Sequence, residues 1–194
     1  MECNTIDMEL ILTDIERMRE VASSQHGVIS RKQALSAGVS SESIRQLAFR
    51  GRIERVAQGV YRIPQAHEGE RTPLQIAVLW TGRDEAALGF ETALHCYGLC
   101  DAAPRQVHII VPAKARIRRS SGDGYVLHYL DIAPEDICVH EGLRLTTPQR
   151  TLLDCRSWGV SQTVLREAFE RAVQRGLILG DKPDALASQL DIEL

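Results

Sequence analysis

Two helix-start signals stand ten residues apart in this chain, with a glycine just before the second. Ser30-Arg31-Lys32-Gln33 reads as a capping box: the Ser30 hydroxyl accepts from the Gln33 amide while the Gln33 side chain reaches back. Gly38 sits where a left-handed C-terminal residue is wanted, and Ser40 caps a second helix with Val39 and Ile44 spaced as a hydrophobic staple. Isolated helices shorter than about 12–15 residues are marginal in water, so helices this short need a surface to pack on. Their inward residues are Ala34, Leu35 and Ala37, then Ile44, Leu47 and Ala48. Before them a helix is expected over residues 6–24, with Ile11, Ile15, Met18 and Ala22 at helical spacing and Met8 and Leu12 beside them. It ends at Gln25-His26-Gly27, and Val28-Ile29 suits a short strand. The two short helices and their glycine turn make a helix-turn-helix.

A hairpin follows the second of them. Ile53–Val56 and Val60–Ile63 flank Ala57-Gln58-Gly59, where glycine supplies the turn's backbone angles, so the hairpin is the wing of a winged helix. Pro64 closes it and polar residues 65–72 read as a linker, giving a domain over 1–66. Residues 73–194 read as a second, α+β domain. Its helices are expected at Pro73–Trp80 (Leu74, Ala77 and Val78 inward), Ala86–Leu99 (weakened by Gly89), Pro148–Arg156 and Val164–Arg175 (stopped by Gly176). Strands are expected at Val107–Val111, Tyr125–Ile132 and Arg144–Thr146. The fold class is therefore α+β: an N-terminal winged helix-turn-helix, then a mixed α/β C-terminal domain with a small sheet.

Composition narrows the setting. With 44% apolar and 25% charged residues among 194, the chain has ordinary globular composition, and no run reaches the roughly 18–20 apolar residues of a membrane span. The acidic start (Glu2, Asp7, Glu9, Asp14) lacks the basic and apolar regions of a secretory leader. Five scattered cysteines point to a reducing cytoplasm rather than a disulfide scaffold.

The net charge of −3 is segregated. From Ser30 to Gln65, Arg31, Lys32, Arg45, Arg50, Arg52, Arg55 and Arg62 face only Glu42 and Glu54, seven basic residues against two acidic. From Arg105 to Arg119 there are five basic residues and no acid. Such patches on an acidic chain suit a polyanion-binding surface, although a solvated basic face gives the same count. On the second short helix, Ser41, Glu42, Ser43, Arg45 and Gln46 lie near the N-terminal end that enters a major groove. Arg45 matches guanine O6/N7 and Gln46 adenine N6/N7. Arg50, Arg52, Arg55 and Arg62 are placed for phosphates, and Gln58 at the wing tip for the minor groove. Phe49 is expected to be covered by the wing or the first helix. Lys114, Arg116, Arg118 and Arg119, before the turn Ser120–Gly124, are candidates for an additional nucleic-acid contact. A winged helix that binds protein instead is a further alternative.

The chain resembles a known family. His26-Gly27-Val28-Ile29-Ser30, Gly38-Val39-Ser40, Ile44-Arg45-Gln46-Leu47, Arg50-Gly51-Arg52-Ile53 and Gly59-Val60-Tyr61 are similar to the N-terminal winged helix of AbiEi-type antitoxins. Glu91–His95, Val107–Pro112, Gly142-Leu143 and Thr146-Thr147-Pro148-Gln149-Arg150-Thr151-Leu152-Leu153-Asp154 continue the resemblance. It implies a DNA-binding transcriptional repressor that acts as the antitoxin of a type IV toxin–antitoxin system. Such a protein autoregulates its operon at inverted repeats of its own promoter. The toxin is a separate nucleotidyltransferase, a genetic rather than a stable physical partner. Some relatives extend into a nuclease-like domain, which the residues up to Leu194 are not expected to include. The alternative is a stand-alone regulator whose C-terminal domain senses a ligand or protein partner.

Neither metal nor catalysis is expected, and no cofactor. His95, Cys96, Cys100, Cys138 and His140 lack paired zinc spacing, and the cysteines read as buried free thiols on core elements. There is no nucleophile elbow, Walker loop or dinucleotide glycine pattern. Asp84-Glu85 and Glu135-Asp136 suit loops, and Arg150 with Asp154, four apart on one helix, suits an ion pair.

Overall fold

The capping box forms as read. Ser30 Oγ accepts from the Gln33 amide at 3.1 Å and Gln33 Oε1 from the Ser30 amide at 2.9 Å. It starts α2 (Arg31–Ser36), and Ser40 Oγ, accepting from the Ser43 amide at 3.0 Å, starts α3 (Ser41–Phe49). Gly38 between them has φ +83°, a left-handed conformation that costs glycine nothing. The computed structural model describes residues 5–66, 69–119, 124–178 and 182–192. It divides into two units, Met1–Asp84 and Glu85–Leu194.

In the first unit α1 (Thr5–Ser23) underlies α2 and α3. Ile15, Met18 and Ala22 share a buried cluster with Ile29, Ala34, Val39, Ile44, Leu47, Ile53 and Ile63. Leu35 departs from expectation: it is 40% exposed. Neighbouring residues on a helix diverge by about 100°, so a six-residue helix that buries Ala34 turns Leu35 outward. Strands β1 (Val28–Ser30), β2 (Glu54–Ala57) and β3 (Val60–Arg62) form an antiparallel sheet in the order β1-β3-β2. The β2–β3 hairpin thus follows α3 in the position of a wing. A bulge between Arg55 and Ala57 breaks its register before the turn at Gly59 (φ +75°).

Helix α4 (Thr72–Trp80) belongs to the first unit, which ends at Asp84, whereas the sequence reading closed the first domain at residue 66 and opened the second at 73. Polar pairs tie α4 in: Thr72 Oγ1 donates to the His26 carbonyl at 3.1 Å, and Gln75 Nε2 to Gln25 Oε1 at 3.4 Å. These long-range partners cannot be read from a local stretch of polar residues.

The capping box gives one checkable result. Ser30→Ala leaves the Gln33 amide without its partner and is expected to cost about 1 kcal/mol, seen as a lower urea midpoint at unchanged slope.

The second unit carries a mixed five-stranded sheet in the order β6-β5-β4-β8-β7. Its strands are β4 (Ala87–Leu88), β5 (Val107–Val111), β6 (Tyr125–Tyr129), β7 (Ile137–His140) and β8 (Leu143–Thr146). Pairs β5–β6 and β4–β8 are parallel, and β4–β5 and β7–β8 antiparallel. The single helix expected over Ala86–Leu99 is instead β4 followed by α5 (Phe90–Cys96). Gly89 separates them: its N–H donates to the His108 carbonyl, and a Cβ there would stand 2.4 Å from Ile110 Cδ1. β6 stops at Tyr129, three residues short of expectation, because Asp131 turns its carboxylate to the Ala113 amide (3.0 Å) and Pro134 follows. β7 and α8 (Lys182–Leu190) were not expected from the sequence.

Helices α6 (Pro148–Trp158) and α7 (Gln162–Gln174) form where expected. The threonines, Arg150 and Asp154 of the threonine-proline block each have a structural use. Thr147 caps α6, Pro148 fills its first turn, and the Thr151 hydroxyl lies 2.7 Å from that of buried Thr146. Arg150 Nε donates to Asp154 at 2.8 Å and Nη1 to Asp136 at 3.1 Å, which is the expected ion pair with a second acid added. Among the described residues no helix is long and apolar enough to cross a membrane.

Candidate nucleic-acid interface

Burial of Ile44 and Leu47 fixes which side of α3 faces out. The outward side presents Glu42, Arg45 and Gln46 on its first two turns, and the three are joined. Arg45 meets Glu42 in a fork, Nε to Oε2 at 2.9 Å and Nη2 to Oε1 at 2.6 Å, and Gln46 Nε2 donates to Glu42 Oε1 at 3.1 Å. These hydrogen bonds, that from Arg45 first, hold the Glu42 carboxyl well below the usual range, at about 2. The Arg45 side chain is nonetheless 76% exposed, so water or a ligand reaches it from outside.

The two serines beside Glu42 differ. Ser41 Oγ accepts from Arg31 Nη2 at 2.9 Å, which sets a further cation at the start of α3. Ser43, half-buried, turns inward and donates to the carboxylate of Asp14 on α1. Asp14 is buried and also lies 3.2 Å from Arg17 Nη2, while Arg17 Nη1 donates to the Gly38 carbonyl at 3.1 Å. Asp14 and Arg17 thus tie α1 to the helix-turn-helix, a role that sequence reasoning missed. The available signal is an acid and a base three apart on the helix that faces the turn.

Arg50, Arg52 and Arg55 are exposed after α3 and along β2, and Gln58 is exposed at the hairpin turn. Arg62 is only half-exposed and donates to Glu54 at 2.7 Å across the hairpin, where the two stand directly opposite. Phe49 corrects an expectation: neither wing nor first helix covers it, and it is 92% exposed. Two positions beyond Leu47 on α3, it lies about 200° round the helix from that core residue.

The other candidates belong to the second unit. Lys114, Arg116 and Arg118 are exposed after β5 and Arg119 is half-buried; residues 120–123 of the adjoining turn lie outside the described residues. Among the described residues no three of the candidate metal ligands form a group that could hold an ion. Cys96 and Cys155 are buried, Cys100 Sγ donates to the Ala102 carbonyl, and His95 is exposed. Cys138 Sγ lies 3.0 Å from Tyr97 Oη, whose hydroxyl donates to the Thr146 carbonyl at 2.8 Å. Of the acid pairs, Asp84 meets Lys32 and Asp136 meets Arg150.

A search of curated proteins finds no match. Among solved structures, a crystal structure of the RV2827C protein from Mycobacterium tuberculosis is similar over 94% of this chain and 83% of that one, at 14% identity and a TM-score of 0.44. Residues 16–64 contain every candidate of the first unit and none of the second. Over those residues the chain matches the model of the family described as transcriptional regulator, AbiEi antitoxin, which is the family that its motifs resemble.

Proposed function

We propose that the first unit binds double-stranded DNA with α3 in the major groove and the β2–β3 hairpin against the backbone. The observation that carries this is the outward face of α3. Two side chains suited to base edges, Arg45 and Gln46, stand side by side on it, and exposed Arg50, Arg52 and Arg55 continue from it. The first pair reads sequence; the arginines neutralise phosphate and fix register. Gln58 at the hairpin turn reaches the adjacent minor groove. Arg62 contributes its charge only in part, being paired with Glu54. Phe49 offers an apolar surface to a thymine methyl.

On this reading the chain is a sequence-specific transcriptional repressor that autoregulates its operon as the antitoxin of a type IV system, in the cytoplasm. The family description over residues 16–64 supports the regulator and antitoxin roles in outline. The nucleotidyltransferase toxin is then a genetic partner. A stand-alone regulator with a ligand-sensing second unit is the second reading, favoured by the cleft described below.

A footprint of the purified chain on its own upstream region, at fixed salt, tests DNA binding. Protection of inverted repeats is expected; no protection at any site overturns the reading. Repeated over a series of salt concentrations, the footprint also tests Lys114, Arg116, Arg118 and Arg119. If they lie on the DNA, changing all four to glutamine flattens the salt dependence by about 0.9 log unit per lost phosphate contact. An unchanged slope removes that segment from the interface.

A further inference from the structure

The second unit holds a cleft that the DNA reading leaves unused. It encloses about 420 Å³ and is lined by Glu91, Pro104, Arg105, His108, Val126 and Trp158, with Ala102, Ala103 and Gln106 completing the wall. That volume falls within the range of small-molecule sites, roughly 300–1,000 Å³.

Two of its lining residues, His108 and Trp158, belong to an aromatic cluster with Phe90 and His128. His108 Nδ1 lies 3.0 Å from His128 Nε2, and the Phe90 ring stacks on His128 with centroids 3.7 Å apart. Trp158 stands edge-on to both imidazoles, at 5.8 Å from His108 and 4.8 Å from His128. Burial pushes both imidazoles below the ordinary histidine value, His128 to about 4, where neighbouring His108 adds to the effect. Near neutral pH each ring therefore carries one N–H and one acceptor nitrogen. The Glu91 carboxylate only accepts, so the His108 nitrogen facing it, Nε2, carries the proton. Nδ1 then accepts from the His128 Nε2–H.

His108 Nε2 and Glu91 Oε2 are 3.6 Å apart, beyond a good hydrogen bond. The cleft thus offers one N–H donor and one charged acceptor side by side, each short of a full partner in the other. Phe90, the residue before Glu91, has φ +53°, a conformation uncommon for a side chain of this size. Its ring stacks on His128 at the backbone turn that leads into Glu91. Trp158 is 51% exposed, a flat apolar wall of the kind on which nucleic-acid bases stack. Arg105, exposed at the rim, supplies a guanidinium for an anion.

A flat ring whose edge accepts at one atom and donates at the next, with an anionic group attached, matches this set. We propose that the cleft binds a nucleotide whose base carries a ring nitrogen beside an exocyclic amine, as adenine and cytosine do, either free or at the end of a single strand. The ring nitrogen accepts from His108 Nε2–H, the amine donates to Glu91, the base lies along Trp158, and the phosphate meets Arg105. This goes beyond the DNA reading and does not depend on it: an Arg45→Ala chain is expected to bind the nucleotide as the parent does.

Calorimetric titration of the full chain tests it with adenosine monophosphate, inosine monophosphate, adenosine, and short single strands ending in adenosine or in inosine. Inosine reverses donor and acceptor on the same ring edge. Saturable binding of the adenosine nucleotide below about 1 mM is expected, about tenfold weaker for inosine and about tenfold weaker in Glu91→Gln. Adenosine without phosphate is expected to bind about tenfold more weakly, and Arg105→Ala to erase that difference. Binding of the mononucleotide identifies a free ligand, and binding of the strand alone, lost when its terminal base is inosine, identifies a strand end. Glu91 and Arg105 both reach solvent, and retained far-ultraviolet dichroism confirms that the variants fold. No saturable heat with any adenosine ligand overturns the proposal, as does binding indifferent to inosine, Glu91→Gln and Arg105→Ala.

Discussion

Replacing Arg45 by alanine is expected to lower affinity for the chain's own operator about ten- to a hundredfold and to change affinity for random duplex far less, in mobility shifts at one salt concentration. A bidentate arginine–guanine contact is made only at the right base, so its loss falls on the specific complex. Arg55→Ala is expected to weaken both complexes alike, since a phosphate contact carries no sequence information. The Glu42 fork adds a second arm. In the free protein Glu42 already occupies Arg45 and Gln46, so any DNA must offer both a better partner than the carboxylate they leave. Random duplex seldom sets a guanine edge in register to replace the fork, and the carboxylate repels phosphate as well. Glu42→Ala is therefore expected to raise affinity for random duplex and to narrow the ratio of specific to random binding. Equal losses on both duplexes for Arg45→Ala remove Arg45 from base reading.

The parts of this molecule that were legible in its sequence are those decided within one or two turns of chain. Ser30 and Gln33 reach each other across three residues, as do Ser40 and the Ser43 amide, and both caps form as read. Arg150 and Asp154 meet because four residues is one helical turn. Most of what escaped was set by distant partners, Phe49 being a local misplacement on the turn of α3. Ser43 has the chemistry of a groove contact, but Asp14, 29 residues earlier, takes its hydroxyl. Phe49 has the chemistry of a core residue, yet its place on α3 turns it outward. Gly89 costs a helix only about 1 kcal/mol; the pairing of Ala87 and Leu88 with β5 and β8 decides that a strand stands before it. The histidine pair is the extreme case. Two histidines 20 residues apart are unremarkable in a string, and only the parallel pairing of β5 with β6 brings them together.

The largest expected effect on stability falls on Arg150, not on the DNA face. Its guanidinium lies between two carboxylates, Asp154 at 2.8 Å and Asp136 at 3.1 Å, and Asp154 is largely buried. Burial pushes the Asp154 carboxyl above the ordinary aspartate value even though Arg150 opposes it, and Asp136 adds to the rise. Asp154 Oδ2 is buried with no hydrogen-bond partner among the described residues, so the remaining oxygen's contact to Arg150 is what makes its charge tolerable. Arg150→Met keeps the aliphatic stem and removes that contact, leaving two acids facing each other. Breaking a fully buried pair costs roughly 3–5 kcal/mol; with Asp136 and Arg150 partly solvated, about 2 kcal/mol near neutral pH is the expected loss. A carboxyl whose value in the folded state is raised stabilises the fold while protonated, and that contribution disappears as pH rises through the folded-state value. The deficit of Arg150→Met is therefore expected to shrink as pH falls toward the carboxylate range. Adding Asp154→Asn, which removes the charge at constant shape, is expected to recover most of it near neutral pH. Urea midpoints across that pH range measure both. A deficit independent of pH, and untouched by Asp154→Asn, places the cost in lost packing rather than in a stranded charge.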